Sequence, residues 1–301
     1  RSGQPLVWTL HDMAPMTGGC HYAMNCKRFT EECGVCPQLG STHLGDLTRR
    51  IHSRKTAALG ALCPETTRIV APSNWLANEA RRSSLLQRFQ VDVIPNGLDV
   101  ETFAPRDRHV AREVLGFPHD RRIILFAADN VSDYRKGMDL LLSAFESSND
   151  LQNVILVSMG GGVGRGPADS VGVGRIDNAR LMSFVYNAAD VFVLPTRADN
   201  LPNVLVESMA CGTPCVSFRV GGVPDVVRDG ETGLLAEPED VASLRRCIVN
   251  LLKDNEMHKR MSQASREIAV TEYADTIVAR RYMALYKELI EKSNVLRGGA
   301  Q

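Results

Sequence analysis

The stretch VFVLPTRADNLPNVLVESMACGTPCVSF, residues 191–218, is built as strand, polar loop, helix and second strand. The runs 191–194 and 215–218 consist of apolar and small residues, as expected of strands that are buried on both faces. A helix predicted over 202–210 lies between them. Parallel neighbouring strands need a long crossover connection, usually a helix, because a short hairpin cannot join them. Two strands with a helix between them are therefore predicted to run parallel.

The same alternation extends upstream to residue 121. Runs 123–127 and 154–158 are predicted to be buried strands, and helices are predicted over 137–148 and 178–188. Strands that alternate with helices at short spacing indicate a doubly wound parallel sheet, whose ligands bind beyond the carboxyl ends of the strands. Residues 238–292 are then predicted to be helical almost throughout.

The N-terminal part repeats this α/β pattern on a smaller scale. A first strand ends at His11-Asp12, and an irregular stretch rich in Gly, Cys, Pro and Thr follows over 13–42. The remaining elements are strands 6–10, 68–71 and 91–94 and helices 44–61 and 74–89. Ser73 is a suitable N-cap for the second helix.

The composition is that of an ordinary soluble globular protein, with 44% hydrophobic and 23% charged residues and a formal net charge of zero. No apolar run reaches the roughly 18 residues of a membrane span. The start at Arg1 lacks both a starting Met and the apolar region of a signal peptide. We therefore expect a cytoplasmic protein, and we expect no nucleic-acid partner.

Two carboxylates, Asp199 and Glu207, stand out in the opening stretch, with seven residues between them. Asp199 follows a buried strand, whereas Glu207 lies two turns into the next helix, on a face shared with Val204, Val206 and Met209. A carboxylate on such a face is costly to bury without a partner. Ribose hydroxyls are one possible partner, and a neighbouring arginine or backbone amide is another.

A pair of cations, Arg135 and Lys136, follows the strand 123–127 and precedes a helix. Fixed cations at a strand edge stabilise the negative charge of a departing group where water is excluded. The alternative is a solvated pair at the start of a helix. The glycine-rich segment 160–166 matches neither the dinucleotide fingerprint nor the P-loop, and we interpret it as a loop.

Taken together, these strings resemble the family 4 glycosyltransferases, retaining enzymes of the GT-B fold, and in particular the bacterial exopolysaccharide type. The similarity covers nearly the whole chain from His11-Asp12 to the last helix. It is carried by the E-x7-E region at 199–207 and by the strings at 94–99, 189–195, 210–214, 221–225 and 229–235.

The resemblance implies an α/β fold of two Rossmann-like, doubly wound domains. Residues 1–112 would form the acceptor-side domain, 113–270 the nucleotide-sugar-binding domain, and 271–301 a C-terminal helix that packs back on the first domain. The family's N-terminal domain normally opens with a glycine-rich loop and several strand–helix units, which are not found ahead of Leu6. We therefore expect the N-terminal domain to be incomplete, in a chain that is either truncated or naturally short.

The resemblance also implies a donor site for a nucleoside-diphosphate sugar. Lys136 would bind the phosphates, Glu207 the ribose and Asp199 the donor sugar, with Lys136 and Asp199 among the catalytic residues. The family usually has Glu where this chain has Asp199, and the shorter side chain puts the identity of the sugar in doubt.

Further roles follow from the same comparison. His11 would lie at the cleft floor as a catalytic residue, and the backbone amides near Asn200 and Leu201 would bind ligand groups at a helix N-terminus. The family's second phosphate-binding cation is an Arg at the place of Val131, and Arg135 is the candidate to replace it because its fork suits phosphate.

No Asp-x-Asp motif occurs in the chain, so we expect catalysis to need no metal cofactor. A separate cysteine cluster, Cys20, Cys26, Cys33 and Cys36, has spacing compatible with a structural zinc ion. Free thiols and a disulfide or redox role are the alternatives. The remaining cysteines are expected to be ordinary buried thiols.

The expected reaction is retaining transfer of a sugar to a glycan or lipid-linked acceptor. A nucleotide-sugar epimerase or hydrolase is the first alternative, and a non-catalytic nucleotide-sugar-binding module is the second. Arg81, Arg82 and Arg88 on the helix 74–89 are compatible with peripheral association at the inner membrane face, or with a solvated helix face.

Overall fold

The computed structural model describes residues 4–146, 149–151, 153–162 and 170–298. Its contacts divide the chain into two compact units, one formed by residues 1–95 with 278–301 and the other by residues 96–277. These limits differ from the sequence-based boundaries at 112 and 270. Within the described ranges, no helix is long and apolar enough to cross a membrane.

The first unit, called the N-terminal unit below, contains a three-stranded parallel sheet in the order β1-β2-β3. Its core packs around Leu10, Ile69, Leu76 and Leu86, none of which is exposed to solvent. The elements are β1 Leu6–Thr9, α1 Leu47–Gly60, β2 Thr67–Ala71, α2 Asn74–Arg82 and β3 Gln90–Val93.

The helix predicted over 74–89 is too long, since α2 ends at Arg82. Ser73 caps its start as predicted, accepting a hydrogen bond from the Leu76 amide at 3.1 Å. Ser83 is fully buried in an extended conformation, and its hydroxyl donates to the Met16 carbonyl at 3.1 Å. This tertiary hydrogen bond ends the helix, and no local sequence signal announces it.

The second unit, called the C-terminal unit below, contains a six-stranded sheet in the order β6-β5-β4-β7-β8-β9, with every pair parallel. It begins with α3 Arg108–Leu115, β4 Arg122–Asn130, α4 Met138–Glu146, β5 Val154–Gly161 and β6 Val171–Gly174. It continues with α5 Ala179–Ala188, β7 Val191–Leu194, α6 Asn203–Ala210, β8 Cys215–Phe218, α7 Val223–Val226, β9 Gly233–Ala236, α8 Val241–Lys253 and α9 Asn255–Ile268.

The structure confirms the predicted parallel α/β sheet. The interior positions of β4, β7 and β8 are buried on both faces, which is why their sequences are continuous apolar runs. Strands β6 and β9 were not predicted, because each is four residues long and each contains glycine. Part of the glycine-rich segment 160–166 lies outside the described residues.

The last helix, α10 Asp275–Gly298, extends from the C-terminal unit into the N-terminal unit. In the N-terminal unit its residues Val278 and Leu285 pack with Val70 and Ile94. The buried guanidinium of Arg68 donates to Glu288 of this helix at 2.5 Å. The end of the chain thus contributes to the first core.

The order of the strands in the larger sheet creates a topological switch point between β4 and β7. From β4 the chain moves outward to β5 and β6 on one side, and then returns to β7, β8 and β9 on the other. Loops that leave two such neighbouring strands diverge, and the crevice between them is the usual ligand site of an open α/β sheet.

We expect Asp190→Asn to lower the free energy of unfolding of the C-terminal unit by about 3–5 kcal/mol, because it leaves a buried arginine without its carboxylate. Asp190 accepts from Arg112, which is 5% exposed, at 2.7 Å. Urea titration would measure the change. Asp177→Asn is the control, since its pair with Arg175 at 2.9 Å is exposed and worth under about 1 kcal/mol. Equal effects of both substitutions would contradict this view of Asp190.

Candidate functional site

Two side chains that the sequence singled out meet at the switch point of the C-terminal unit. Lys136 Nζ donates to Asp199 Oδ2 at 2.5 Å, and Arg135 Nη1 donates to the same oxygen at 3.2 Å. Lys136 follows β4 and Asp199 follows β7, so the loops of two adjacent strands bring these charges together. The Asp199 side chain is 8% exposed and that of Lys136 is 15% exposed. A nearly buried carboxylate is thus held by two cations.

The loop after β4 is fastened to the loop after β7 by backbone and side-chain hydrogen bonds. The Arg197 amide donates to the Arg135 carbonyl at 2.7 Å, and the Thr196 hydroxyl donates to the same carbonyl at 2.9 Å. Arg135 Nη1 also donates to the Ala198 carbonyl at 2.9 Å. These contacts hold the short 3-10 turn Tyr134–Lys136 against residues 196–199.

The side chain of Arg197 also links these two loops. Its guanidinium donates two hydrogen bonds to the Asp139 carboxylate, at 2.9 and 2.6 Å, and one to Glu239 at 3.0 Å. It also lies over the Tyr134 ring, 3.7 Å from the centroid. The hydrogen bonds that Arg197 donates to Asp139 raise the pKa of Arg197, which therefore stays charged. The Arg197 side chain is 5% exposed, and a bidentate pair of this kind fixes geometry as well as charge.

Two glycines allow the backbones around Asp199 to approach one another. Gly137 has φ +77°, and a Cβ there would overlap the Pro195 carbonyl oxygen. Gly221 has φ +51°, and a Cβ there would overlap the Asp199 carbonyl oxygen. Both positions need a residue without a side chain, first for the left-handed conformation and second for the close approach.

The start of α6 lies directly after Asp199. The Asn200 amide donates to Asp199 Oδ1 at 3.2 Å, and the side chains of Asn200 and Leu201 are buried. These two side chains therefore pack into the interior of the C-terminal unit, and the predicted ligand contact of their backbone amides stays a prediction. No side chain caps the helix at Pro202, so the first amides of α6 keep their partial positive charge.

Glu207 lies in the second turn of α6, and its partner is a buried phenol. The Tyr186 hydroxyl donates to Glu207 Oε2 at 2.7 Å. Burial raises the pKa of Glu207, and the hydrogen bond from Tyr186 acts in the opposite direction. Tyr186 itself is fully buried, with its ring packed edge-on against Phe103 and Phe192. One oxygen of Glu207 is thus positioned by the core.

Arg135 and Lys136 differ in the groups that accept their hydrogen bonds. Lys136 donates to Asp199, whereas Arg135 is shared among Ala198, Asp199 and Asp133. Arg135 therefore contributes to the shape of the site as well as to its charge. Val131, at the place of the family's second cation, is buried and apolar.

His11, the remaining predicted catalytic residue, lies in the N-terminal unit at an exposed position just after β1. Its neighbour Asp12 accepts hydrogen bonds from the Ala14 amide at 2.6 Å and from His21 Nδ1 at 2.7 Å. Asp12 is therefore a structural residue of the loop that follows β1.

The expected zinc site at the cysteine cluster is not confirmed. In the described parts of the chain, no group of three or more His, Cys, Asp or Glu side chains is arranged to hold a metal ion. Cys20, Cys26, Cys33 and Cys36 are free thiols. Burial raises the pKa of Cys20 and Cys33, which keeps both as neutral thiols in the absence of a metal.

Sequence reasoning missed three residues of the site: Tyr186, Thr196 and Arg197. Tyr186 occupies an apolar helix face and looks like an ordinary core residue. Arg197 and Thr196 stand in the quoted stretch, but their partners lie 58 to 63 residues away in the sequence. Only the parallel pairing of β4 with β7 shows that they act on the turn Tyr134–Lys136.

The parallel sheet, with a cation and carboxylates at its switch point, defines the class of Rossmann-like proteins that bind ligands at the carboxyl edge of the sheet. The match to family models makes this specific. Residues 107–268 match the model described as glycosyl transferases group 1, and residues 1–102 match glycosyltransferase family 4. The chain therefore belongs to the family 4 glycosyltransferases.

Among curated proteins, the chain is similar to D-inositol 3-phosphate glycosyltransferase of Mycobacterium tuberculosis. The two are 31% identical over 226 residues, which cover 69% of this chain and 46% of that protein. The chain thus spans about half the length of the curated relatives that it matches.

Solved structures show the same fold. Sucrose-phosphate synthase from Thermosynechococcus elongatus superimposes with a TM-score of 0.74 at 24% identity, over 95% of this chain and 68% of that one. HepE from Anabaena, solved in complex with UDP-glucose, gives a TM-score of 0.70 at 16% identity, over 94% and 72% of the two chains. These similarities confirm the predicted GT-B fold class.

We expect Glu207→Gln to stabilise the ligand-free protein at pH 7.5. Because burial raises the pKa of Glu207, the folded state favours the neutral acid, so wild-type stability falls as pH rises through the folded pKa. Glutamine is neutral throughout and can still accept from Tyr186. The gain in melting temperature should be present at pH 7.5 and vanish below the ordinary carboxyl range, where the wild-type acid is neutral in both states.

Thermal unfolding across this pH range would measure the effect. Glu231→Gln is the matched control, because Glu231 is exposed and its arginine partner is 3.9 Å away. A gain for Glu207→Gln that does not depend on pH, or one that the control reproduces, would contradict the proposed environment of Glu207.

Proposed function

We propose that this chain transfers a sugar, with retention at the anomeric carbon, from a nucleoside-diphosphate sugar to a glycan or lipid-linked acceptor. The observation that carries the proposal is the contact of Lys136 with Asp199 at the switch point of the C-terminal unit. Membership of the glycosyltransferase family supports the reaction class.

In this proposal, Lys136 neutralises the leaving diphosphate. Without a donor, the positive charge of Lys136 is balanced by Asp199, so its ammonium is held in place at little electrostatic cost. The diphosphate of the donor carries two negative charges, against one on Asp199, and can take over the ammonium when the donor binds. A cation that is already in position needs no reorganisation as the bond to the diphosphate breaks, which is the main source of such catalysis.

Asp199 then becomes available for the donor sugar. Displaced from Lys136, its carboxylate still has Arg135 at 3.2 Å and the Asn200 amide at 3.2 Å, so it stays oriented. A carboxylate so held accepts hydrogen bonds from sugar hydroxyls. The first amides of α6, which lack a side-chain cap, would face the anionic end of the donor.

Glu207 would bind the ribose. Its Oε2 is taken by Tyr186, so the other oxygen is the one that accepts from the ribose hydroxyls. Hydrogen bonds from these hydroxyls would offset the cost of keeping a buried carboxylate charged. The donor would thus be held by an acid at the ribose and a cation at the diphosphate.

The proposed transfer breaks one bond at the anomeric carbon and forms another. The bond from the anomeric carbon to the diphosphate oxygen breaks, and its electron pair leaves with the diphosphate. An acceptor hydroxyl oxygen bonds to the same carbon on the same face, and its proton passes to the departing diphosphate. His11 is proposed to contact the sugar or the acceptor. Action in the cytoplasm, with peripheral contact at the inner membrane face, stays a prediction.

We expect Lys136→Met to lower turnover of the preferred donor by about 10²–10³-fold, the usual cost of removing one preorganised charge-stabilising group. UDP, GDP and ADP and their common sugars would be screened by thermal shift, starting with UDP-glucose because HepE binds it. Turnover would then be followed as release of nucleoside diphosphate with and without oligosaccharide acceptors.

Lys253→Met is the matched control, because Lys253 also pairs with an aspartate, Asp150 at 2.8 Å, but is 65% exposed. It should leave turnover unchanged. Free sugar or an epimerised donor formed without acceptor would overturn transfer in favour of a hydrolase or epimerase. Tight nucleotide binding without turnover of any donor would favour a non-catalytic module. Nucleotide binding that survives both Lys136→Met and Glu207→Ala would contradict the site itself.

A further inference from the structure

A second concave site lies at the amino edge of the sheet in the C-terminal unit, and we call it the amino-edge bowl. It has a volume of about 350 Å³ and is formed by α3, the loop before β4 and the residues that begin β4, β5 and β7. Arg122 is the first residue of β4, and Asn153 and Asp190 immediately precede β5 and β7. The proposed donor residues follow the carboxyl ends of β4 and β7. The nine residues of β4 separate the two edges by about 26 Å, which is eight intervals of the usual parallel-strand rise.

The floor of the bowl is an ion cluster around one carboxylate. Asp190, whose side chain is 2% exposed, accepts hydrogen bonds from Arg112 at 2.7 Å, Arg122 at 2.9 Å and Arg108 at 3.0 Å. The Ile123 amide donates to it as well, at 2.7 Å. Three guanidinium groups thus share the single negative charge of Asp190.

The charges that line the bowl do not balance. Four arginines and two aspartates line it, so two positive charges are in excess when both histidines are neutral. A concave surface with charge of one sign focuses the electrostatic potential and attracts a counter-ion. The second aspartate, Asp120, is exposed at the rim and offsets part of the excess.

The arginines of the bowl differ in how much of their donor capacity is used. Arg112 is saturated, since it also donates to the carbonyls of Ala188 at 3.0 Å and Arg121 at 3.0 Å. Arg122 is 44% exposed and donates to Asp190 and Asn255. The Arg108 side chain is 35% exposed, and its Nη1 donates to Asp190 at 3.0 Å. Arg112 is therefore structural, whereas Arg122 and Arg108 can offer donors to a ligand.

Two imidazoles complete the rim. His109 and His119 are stacked with their centroids 5.2 Å apart, and their Nδ1 atoms lie at hydrogen-bond distance, 3.2 Å. Both are exposed, so each can donate to an anion that enters the bowl. Guanidinium and imidazole groups around an opening of this size match the charge and donor needs of a phosphate group.

We propose that the amino-edge bowl is a second anion site, distinct from the donor site, that binds a phosphate dianion or the phosphate of a small monoester. The excess of two positive charges equals the charge of such a dianion. The volume lies at the lower end of small-molecule sites, which leaves room for a phosphate with a small substituent.

Isothermal titration calorimetry with inorganic phosphate and with glucose 6-phosphate, at low ionic strength, tests the proposal. We expect saturable binding of one equivalent at the bowl. Arg122→Gln should weaken it about fivefold, because it removes one exposed cation. Asp120→Asn should tighten it about twofold, because it removes a repulsive charge at the rim. Tighter binding of glucose 6-phosphate than of phosphate would identify a monoester ligand, and the reverse would identify free phosphate.

The donor site also carries cations that attract phosphate, so each titration is repeated in Lys136→Met, which should leave binding at the bowl unchanged. A purely structural ion cluster does not predict that Arg122→Gln and Asp120→Asn act in opposite directions. Loss of all phosphate binding in Lys136→Met would place the anion in the donor site and overturn the proposal. Absence of saturable binding in the wild type, or equal affinities in Arg122→Gln and Asp120→Asn, would overturn it as well.

Discussion

The nearly buried carboxylate of Asp199, shared between Lys136 and Arg135, is the interaction on which the rest of the site depends. A buried carboxylate is tolerated only when cations and hydrogen bonds surround it. Here the requirement is met by loops that leave β4 and β7, which are adjacent only because the sheet reverses its winding between them. Strand order therefore determines which charges meet.

The residues around Asp199 hold the loops after β4 and β7 together. Arg197 joins the loop after β7 to Asp139 at the start of α4, and Gly137 and Gly221 let the backbones approach without a side chain between them. Such a frame holds the cation in position before a ligand arrives. In the proposed reaction the donor only exchanges partners with charges that are already fixed, so little reorganisation accompanies bond breaking.

Much of this could be predicted from the sequence, because buried parallel strands leave continuous apolar runs and Lys136, Asp199 and Glu207 stand directly after or near them. The parts that failed depend on distant contacts. Nothing local shows that Ser83 bonds to the Met16 carbonyl and ends α2, or that Tyr186 donates to Glu207. The cysteine spacing left structural zinc, free thiols and a disulfide or redox role open, because spacing does not set the geometry of thiols in an irregular loop.

The proposed exchange of Lys136 from Asp199 to the donor diphosphate is best tested by a crystal structure of the chain with a bound nucleoside diphosphate. We expect Lys136 Nζ to move from Asp199 to a diphosphate oxygen, within about 3 Å, while Glu207 accepts from the ribose hydroxyls in the same crevice. A nucleotide bound elsewhere, or a diphosphate that leaves the Lys136–Asp199 contact intact and makes none with Lys136, would contradict it.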